Sequence, residues 1–249
     1  VTISYTGDPD SPIETLTTDE SGQTPEINLK APPRELSLTP DITEQPYSEY
    51  NIQVTAEGFE TVLVSGSEIL AGAYSLQPIR MNPLDVTEEE EKVVVIPPHT
   101  LFGEYPPKIP EEEIKPMNET GEIVLSRVVI PEYVIVHDGD PEDPTARNYW
   151  VRYKDYIKNV ASSEIYPTWS ESAIYANILV IQSFTLNRVF TEWYRGKGYD
   201  FTITSSTAYD QKWIYGRNVF EEIDYLVDSI FTNYLSRPGV RQPIFTSYC

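Results

Sequence analysis

The chain of 249 residues carries 18 Lys and Arg against 39 Asp and Glu, a formal net charge of −21. This balance excludes a general binder of the nucleic-acid backbone, which needs clustered positive charge, and disfavours adsorption onto anionic membranes. The single cysteine, Cys249, rules out an intramolecular disulfide and a cysteine-cluster zinc site, whereas 40% hydrophobic residues suffice to build a core.

The negative charge is concentrated in the first half of the chain. Residues 1–127 hold 7 basic and 24 acidic side chains, whereas residues 145–249 hold 11 basic and 10 acidic ones. We therefore expect the acidity to belong to a spacer, with the near-neutral second half free to accept a ligand. No apolar stretch approaches the roughly 20 residues that span a bilayer, and no signal peptide is visible at Val1.

Residues 1–82 are predicted to form a small all-β sandwich. The alternating runs 51–55 and 61–64 have the period of strands, and no helical period lies between them. Turn sequences rich in Gly, Asp and Ser separate the runs, at residues 7–10, 19–22 and 57–58.

Two motifs in this region are similar to those of a known family. Residues 18–22 form a Thr-Asp-x-x-Gly turn, and a strand led by Tyr50 ends in Gly58-Phe59. The pair resembles the carboxypeptidase-regulatory-like (transthyretin-like) β-sandwich. The resemblance implies a spacer or binding module, and it implies no active site in this part of the chain.

Residues 83–127 are predicted to be an acidic, proline-rich linker. Seven prolines interrupt any regular element, and the acidic runs 88–91 and 111–113 repel themselves and favour an extended chain. Two apolar islands, 93–96 and 101–102, offer the alternative that parts of the linker dock on a neighbour as strands.

Residues 128–249 are predicted to form an α+β domain with about three helices, so the whole chain is expected to be multidomain. Strands are expected at 128–130, 133–136 and 242–248, and helices at 153–164, 168–197 and 218–236. The second helix is expected to begin at Thr168, which has capping-box spacing to Glu171. Its predicted buried stripe is Ala173, Ala176, Asn177, Val180, Ile181 and Phe184. We expect this domain to be cut off at Cys249.

Several classes of site are not predicted. The two histidines, His99 and His137, lie in the linker and in an acidic turn, and no Gly-x-Ser-x-Gly elbow or glycine-rich phosphate loop is present. The carboxylates at 138–143 are the oxygen ligands that calcium prefers, but their spacing fits no EF-hand loop and the nearby prolines favour an ordinary turn. We therefore predict no cofactor and no metal, with calcium at this turn as the open alternative.

Glu164 is the candidate catalytic residue. It ends the apolar and small-residue stretch 160–164 and is close in sequence to Tyr166 and Trp169. A carboxyl group at a helix end among aromatic rings is partly desolvated, which raises its pKa toward that of a useful general acid. From spacing alone, a solvated glutamate at a helix end is the better explanation.

A second family resemblance favours a catalytic role for Glu164 over a solvated glutamate at a helix end. The run 155–164, followed by Pro167, Trp169 and the start of a helix at 173–177, resembles the signature of the stage II sporulation protein D family. Residues 204–211 resemble the approach to the family's Gln-Val-Tyr segment, and 247–249 resemble the start of its Cys-Gly-Gly-like stretch. The resemblance implies a lytic transglycosylase acting on peptidoglycan glycan strands, or a relative that enhances wall amidases.

This chemistry needs one carboxyl group, whereas a glycoside hydrolase needs two. Glu164 would protonate the glycosidic oxygen and then, as a carboxylate, accept the proton of a hydroxyl group of the substrate's own sugar. Gln211 and Tyr248 are expected to donate hydrogen bonds to the sugar, and Trp169 or Trp213 to stack on it. For these four residues, helix packing and core burial are the alternative.

Two departures from the family pattern bear on activity. Gln182 stands where the family's helix carries Arg, and we expect it among the substrate-binding residues. The Gln-Val-Tyr segment reads Gln211-Lys212-Trp213. The alternative is therefore a catalytically inactive structural or wall-binding component of a spore coat, surface fibre or phage-like particle. In both cases we expect a bacterial protein outside the cytoplasm, at the cell wall or spore surface. Its expected partners are glycan strands, wall amidases or surface-assembly proteins, and no nucleic acid.

Overall fold

The computed structural model describes residues 1–84, 91–115 and 125–246, and it has a mixed α+β architecture. The β-sheets dominate the N-terminal half, and the three α-helices lie in the C-terminal part. The strands are β1 (Thr2–Tyr5), β2 (Asp8–Thr15), β3 (Ser48–Val54), β4 (Thr61–Ile69), β5 (Ser75–Leu76), β6 (Glu91–Val95), β7 (Tyr133–His137), β8 (Asn148–Arg152), β9 (Ile203–Thr204) and β10 (Val219–Phe220). The helices are α1 (Tyr153–Glu164), α2 (Glu171–Phe190) and α3 (Glu221–Ile230).

The chain divides into two compact units, and their boundaries differ from the predicted domains. Unit 1 combines Val1–Pro98 with Tyr215–Glu221, and unit 2 combines His99–Ile214 with Glu222–Cys249. The short segment Tyr215–Glu221 of the C-terminal half thus belongs to unit 1. Local sequence patterns do not reveal such an assignment.

Unit 1 is built on a five-stranded sheet of order β2-β1-β3-β4-β6, in which only the β4–β6 pair is parallel. The predicted runs 51–55 and 61–64 are confirmed as parts of β3 and β4. A second sheet of two strands pairs β5 with β10. The apolar side chains buried in this unit are Ile3, Tyr47, Tyr50, Val62, Val64, Leu70, Val94, Ile96 and Phe220.

Two parts of the segment predicted as a linker are packed. Residues 91–95 form β6, because Val94 and then Ile96 bury one apolar face despite the surrounding prolines. Further along, His99 and Lys115 are buried in unit 2. The apolar island 93–96 therefore lies largely in a strand that pairs with β4, which is the alternative to an extended linker. The acidic run at 88–90 lies outside the described residues.

Unit 2 contains the three-stranded sheet β8-β7-β9 and the helices. Helix α1 has the predicted bounds, and Tyr156, Ile157, Val160 and Ala161 form its fully buried face. The predicted strand at 133–136 is confirmed as part of β7, but residues 128–130 and the described part of 242–248 form no strand.

Helix α2 differs from its prediction at both ends. Its N-cap is Ser170, whose Oγ accepts a hydrogen bond from the amide of Ala173 at 3.3 Å, and not Thr168, which is buried in the preceding turn. The helix ends at Phe190 instead of near residue 197. Of the predicted stripe, Ile181 and Phe184 are buried, whereas Ala176 is exposed. The buried positions of the first turns are Ile174 and Ile178.

Helix α3 is shorter than predicted. It spans residues 221–230 instead of 218–236, because Val219 and Phe220 pair with β5 as the strand β10. Tertiary pairing thus overrides the helical period in the first residues of this segment. Ile223, Leu226, Val227 and Ile230 form the buried face of this helix. Phe231 and Tyr234, which the longer helix would also turn inward, are only partly buried.

Candidate functional site

Glu164 is the last residue of α1, and its side chain is partly exposed. The backbone amide of Lys212 donates a hydrogen bond of 2.7 Å to Oε1 of Glu164. The chain turns away immediately after it, because Ile165 is extended. The carboxyl group is therefore held between the C-terminal end of a buried helix and the loop that follows β9.

Two lysine side chains lie in the electrostatic field of Glu164. Burial lowers the pKa of Lys108, and the negative charges of Glu164 and Asp210 oppose this effect. Burial also lowers the pKa of Lys212, opposed by Asp138 and Glu164. The Lys108 ammonium donates to the carbonyl of Asp210 at 2.6 Å, and the Lys212 ammonium lies 5.3 Å from the ring centre of Tyr105. Glu164 thus interacts electrostatically with both lysine side chains, which also interact with the carboxylates of Asp210 and Asp138.

Aromatic rings pack beside the end of α1. Tyr166 is buried and contacts Trp169 edge to face, with ring centres 6.2 Å apart. The imidazole of His99 lies 4.4 Å from the ring of Tyr166. The next residue, Thr100, donates from Oγ1 to the carbonyl of Ser163 at 2.8 Å. Trp169 keeps part of its surface exposed, so it is the predicted stacking residue that remains accessible beside this helix end.

Gln211 is 0% exposed and occupies the packing between α1 and α2. Its Oε1 accepts hydrogen bonds from the hydroxyl of Tyr156 at 3.1 Å and from that of Thr185 at 2.7 Å. Its Nε2 donates to the carbonyl of Ile181 at 3.1 Å. These contacts give the Gln211 side chain a role in packing, which was the alternative to a contact with sugar.

The other predicted substrate residues are also placed in packing where the structure describes them. Gln182 is buried, and its Nε2 donates to the carbonyls of Ile230 and Asn233 at 3.2 and 3.0 Å, which satisfies the C-terminal end of α3. Trp213 is 5% exposed and packs against Tyr149 with ring centres 5.3 Å apart. Tyr248 lies outside the described residues.

A buried ionic network, which the sequence analysis missed, supports the site. Arg188 of α2 donates from Nε to Asp210 at 2.6 Å, and from both Nη atoms to Glu111 at 2.8 and 2.6 Å. Asp210 also accepts from the Tyr194 hydroxyl at 2.7 Å and from the amide and hydroxyl of Thr204 at 2.8 and 2.7 Å.

The opposite charges within the network stabilise the ionised forms of Arg188 and Glu111. Burial lowers the pKa of Arg188, but the charges of Asp210 and Glu111 outweigh it and raise that pKa. Burial alone would raise the pKa of Glu111, but its hydrogen bonds to Arg188 and Lys115 outweigh burial and hold that pKa below its ordinary value. A sequence signal existed: Arg188 continues the buried register of Ile181 on α2, where a lone cation needs an acidic partner.

Two carboxylates of the acidic turn at 138–143 accept hydrogen bonds from protein groups. Oδ1 of Asp138 accepts from the hydroxyl of Ser205 at 2.8 Å, and Oδ1 of Asp143 accepts from the amide and hydroxyl of Thr145 at 2.8 and 2.7 Å. Those bonds lower the pKa of Asp143. Across residues 1–84, 91–115 and 125–246, no group of three or more His, Cys, Asp or Glu is arranged to hold a metal ion.

No helix within the described ranges combines the length and apolar character that crossing a membrane requires. Comparisons of the chain with family models, with curated proteins and with solved structures find no match. The two family resemblances therefore rest on the motifs in the sequence.

Proposed function

We propose that this chain cleaves peptidoglycan glycan strands in the manner of a lytic transglycosylase, with Glu164 as its single acid–base group. One observation supports this proposal above others. The carboxyl group of Glu164 is partly exposed, yet its position is fixed by the 2.7 Å hydrogen bond from the Lys212 amide. A group that exchanges a proton with substrate needs both access and a fixed position.

The proposed reaction proceeds in two proton transfers. In the first, protonated Glu164 gives its proton to the glycosidic oxygen while the bond from that oxygen to the anomeric carbon breaks. In the second, a hydroxyl group of the same sugar attacks the anomeric carbon, and its proton returns to the Glu164 carboxylate. The product carries an internal anhydro ring, and no water is consumed. A second carboxyl group, which a hydrolase needs to activate water or to act as nucleophile, has no task here.

The nearby cations fit the first step. When Glu164 loses its proton it becomes a carboxylate, and the positive charges of Lys108 and Lys212 stabilise that form. Fixed charges act most strongly where water is partly excluded. The partly exposed Trp169 is the residue that we propose for stacking on a sugar ring.

The proposal extends to the setting of the protein. We place it outside the cytoplasm, at the cell wall or spore surface, with wall amidases or surface-assembly proteins as further partners. Unit 1 would serve as a carboxypeptidase-regulatory-like β-sandwich that spaces or binds. The excess acidic charge of residues 1–127 would keep that part soluble within a polyanionic wall.

A second candidate is a wall-binding component without catalysis. The burial of Gln211, Gln182 and Trp213 favours it, since three residues expected to contact sugar are committed to packing. In this case the chain would bind glycan strands and release no products, and Glu164 would stabilise the loop at Lys212 alone.

The test is incubation of the chain with purified glycan strands and mass spectrometry of the products. The proposal expects anhydro-muramyl ends, reduced about 100-fold or more by Glu164→Gln, which is the usual contribution of acid–base catalysis. The control is Glu132→Gln, which changes an exposed glutamate of the same unit and should leave the rate unchanged. Binding without products would support the second candidate. Equal product from Glu164→Gln and wild type would overturn the first.

A further inference from the structure

The edge strand β8 carries an aromatic side chain that is left outside the core. Trp150 is 72% exposed, and its neighbours two residues away on the same face, Asn148 and Arg152, are exposed as well. β8 lies at the edge of the β8-β7-β9 sheet. The opposite face of β7 contributes the fully buried Val134 and Val136 to the core. The two faces of this sheet therefore differ sharply in what they contact.

The face with Trp150 is only partly covered. Its cross-strand partner, Ile135, packs beneath a cluster formed by Tyr194 and Phe201, with Trp193 and Tyr199 at its margin. This cluster does not extend over β8, so the indole ring of Trp150 is exposed to solvent beside it. A tryptophan left in water forgoes the burial that makes large aromatic residues favourable in a core.

Polar groups flank the ring at fixed positions. The Arg152 guanidinium lies 5.9 Å from the ring centre of Tyr133, its cross-strand partner. On the other side, Nδ2 of Asn148 donates to Asp200 at 2.9 Å, and its Oδ1 lies 2.7 Å from Nδ1 of His137. From Asn148 to Arg152 the strand extends about 13 Å. An exposed aromatic ring thus stands midway along a line of planar hydrogen-bonding groups.

This pattern matches the chemistry of a carbohydrate chain. A pyranose ring presents apolar C–H groups on its face, which pack on an indole ring, and hydroxyl groups around its rim, which bind amide, carboxylate and guanidinium groups. A purely apolar peptide would leave the Arg152 guanidinium without matching polar groups, which is costly on burial. The positive charge of Arg152 provides one end of the strand with a partner for a carboxylate of the glycan. At the Asn148 end, the exposed carboxylate of Asp200 can accept hydrogen bonds from sugar hydroxyl groups.

We propose that the exposed face of β8 is a carbohydrate-binding site, with Trp150 stacking on a sugar ring and Arg152 and Asn148 binding its polar substituents. The occupant is a glycan chain that carries carboxylate groups. The site lies outside the residues assigned to cleavage, so it does not depend on whether Glu164 is catalytic, although the choice of a peptidoglycan strand as the occupant rests on the proposed function. It would hold a strand at the protein independently of bond breaking.

The test measures binding of purified peptidoglycan glycan strands to the whole chain by titration calorimetry, in the Glu164→Gln background so that the strands stay intact. Trp150→Ala should weaken binding about tenfold. Trp150→Phe, which keeps a ring, should retain most of the affinity. The matched control is Tyr225→Ala, since Tyr225 is an aromatic residue of α3 that is 70% exposed and should not matter.

Arg152→Gln separates charge from stacking. It should weaken binding of strands that carry carboxylates more than it weakens binding of neutral chitin oligosaccharides, because glutamine keeps a hydrogen-bonding group and loses the charge. A thermal melt equal to that of wild type establishes that each variant is folded. Undiminished binding by Trp150→Ala, an equal loss in Tyr225→Ala, or no binding of glycan by the Glu164→Gln parent would each overturn the proposal. Capture of a protein partner that needs Trp150, without glycan binding, would also overturn it.

Discussion

The amide of Lys212 donates to Oε1 of Glu164 at 2.7 Å, so the end of α1 is joined to the loop that carries Asp210. Asp210 lies two residues before Lys212 and is fixed by Arg188, Tyr194 and Thr204. The Lys212 amide, which donates to Glu164, is therefore positioned by a buried ionic network elsewhere in unit 2.

Arg188→Met should destabilise the protein strongly. The substitution leaves the carboxylates of Glu111 and Asp210 buried without their main cation, and such losses cost about 3–5 kcal/mol. Arg188→Lys should not restore stability, because one ammonium cannot reproduce the paired bonds of the guanidinium. Urea unfolding of each variant measures the effect.

The control for that substitution is Arg195→Met. Arg195 is exposed, and its carboxylate partner Glu192 lies 3.8 Å away, so the free energy of unfolding should change by less than about 1 kcal/mol. Similar losses in the two variants would contradict a special role for the buried network.

Gln211→Ala should destabilise unit 2 by about 1–3 kcal/mol. It removes the acceptor of the buried Tyr156 hydroxyl, and a buried donor that loses its partner costs about 1–3 kcal/mol. The Thr185 hydroxyl also loses Gln211 but keeps the carbonyl of Ile181 at 2.9 Å as an acceptor. Urea unfolding is again the measurement. Gln53→Ala is the control, because its hydrogen bond to Glu91 lies at the surface. A stability equal to wild type, together with lost glycan binding, would instead make Gln211 a substrate residue.

Stability should depend on pH through Glu68 of unit 1. Glu68 is fully buried on β4, with Arg217 as its ion-pair partner at 2.5 Å and Glu49 directly opposite on β3. Burial, partly offset by Arg217 and reinforced by Glu49, raises the pKa of Glu68 to about 7 from an ordinary value of 4.5. Between these values the folded state binds more protons than the unfolded state, so this group's contribution to stability is lost as pH rises from 4.5 to about 7.

The size of this effect is on the order of 3 kcal/mol. Calorimetric melts between pH 5 and 8 should therefore show a fall in midpoint temperature that Glu68→Gln flattens, because an amide at this position does not titrate. Glu14→Gln, at an exposed position of β2, should keep the wild-type profile. An unchanged slope in Glu68→Gln would contradict the assignment.

Gly66→Ala should destabilise unit 1 more than Gly58→Ala. Both glycines have positive φ, at +92° and +79°, so both substitutions carry the same backbone strain. At Gly66 a Cβ would also lie 2.6 Å from the carbonyl oxygen of Ile96, whereas nothing lies within 4 Å at Gly58. Thermal melts of the two variants compare them directly. Equal melting temperatures would mean that the backbone at Ile96 moves aside without cost.

The sequence predicted the elements whose signals are local. The bounds expected for α1 are confirmed, and the alternating runs of β3 and β4 identified those strands. The motif that ends in Glu164 likewise singled out a carboxyl group that the structure leaves partly exposed.

The features that escaped prediction depend on contacts between distant parts of the chain. Residues 91–95 join β4, and β10 joins β5, through pairings that no local period encodes. The partners of Arg188 are 77 and 22 residues away. A motif also does not tell which way a side chain points, which is why Gln211 was expected at a substrate and is buried in packing.

The chemistry assigned to Glu164 is tested most directly by isotope labelling of the products. Glycan strands incubated with the chain in H₂¹⁸O should yield ends that contain an anhydro ring, are lighter than a reducing end by one water molecule, and carry no ¹⁸O. Incorporation of ¹⁸O at new reducing ends would show that water is the nucleophile and would contradict a mechanism with one carboxyl group.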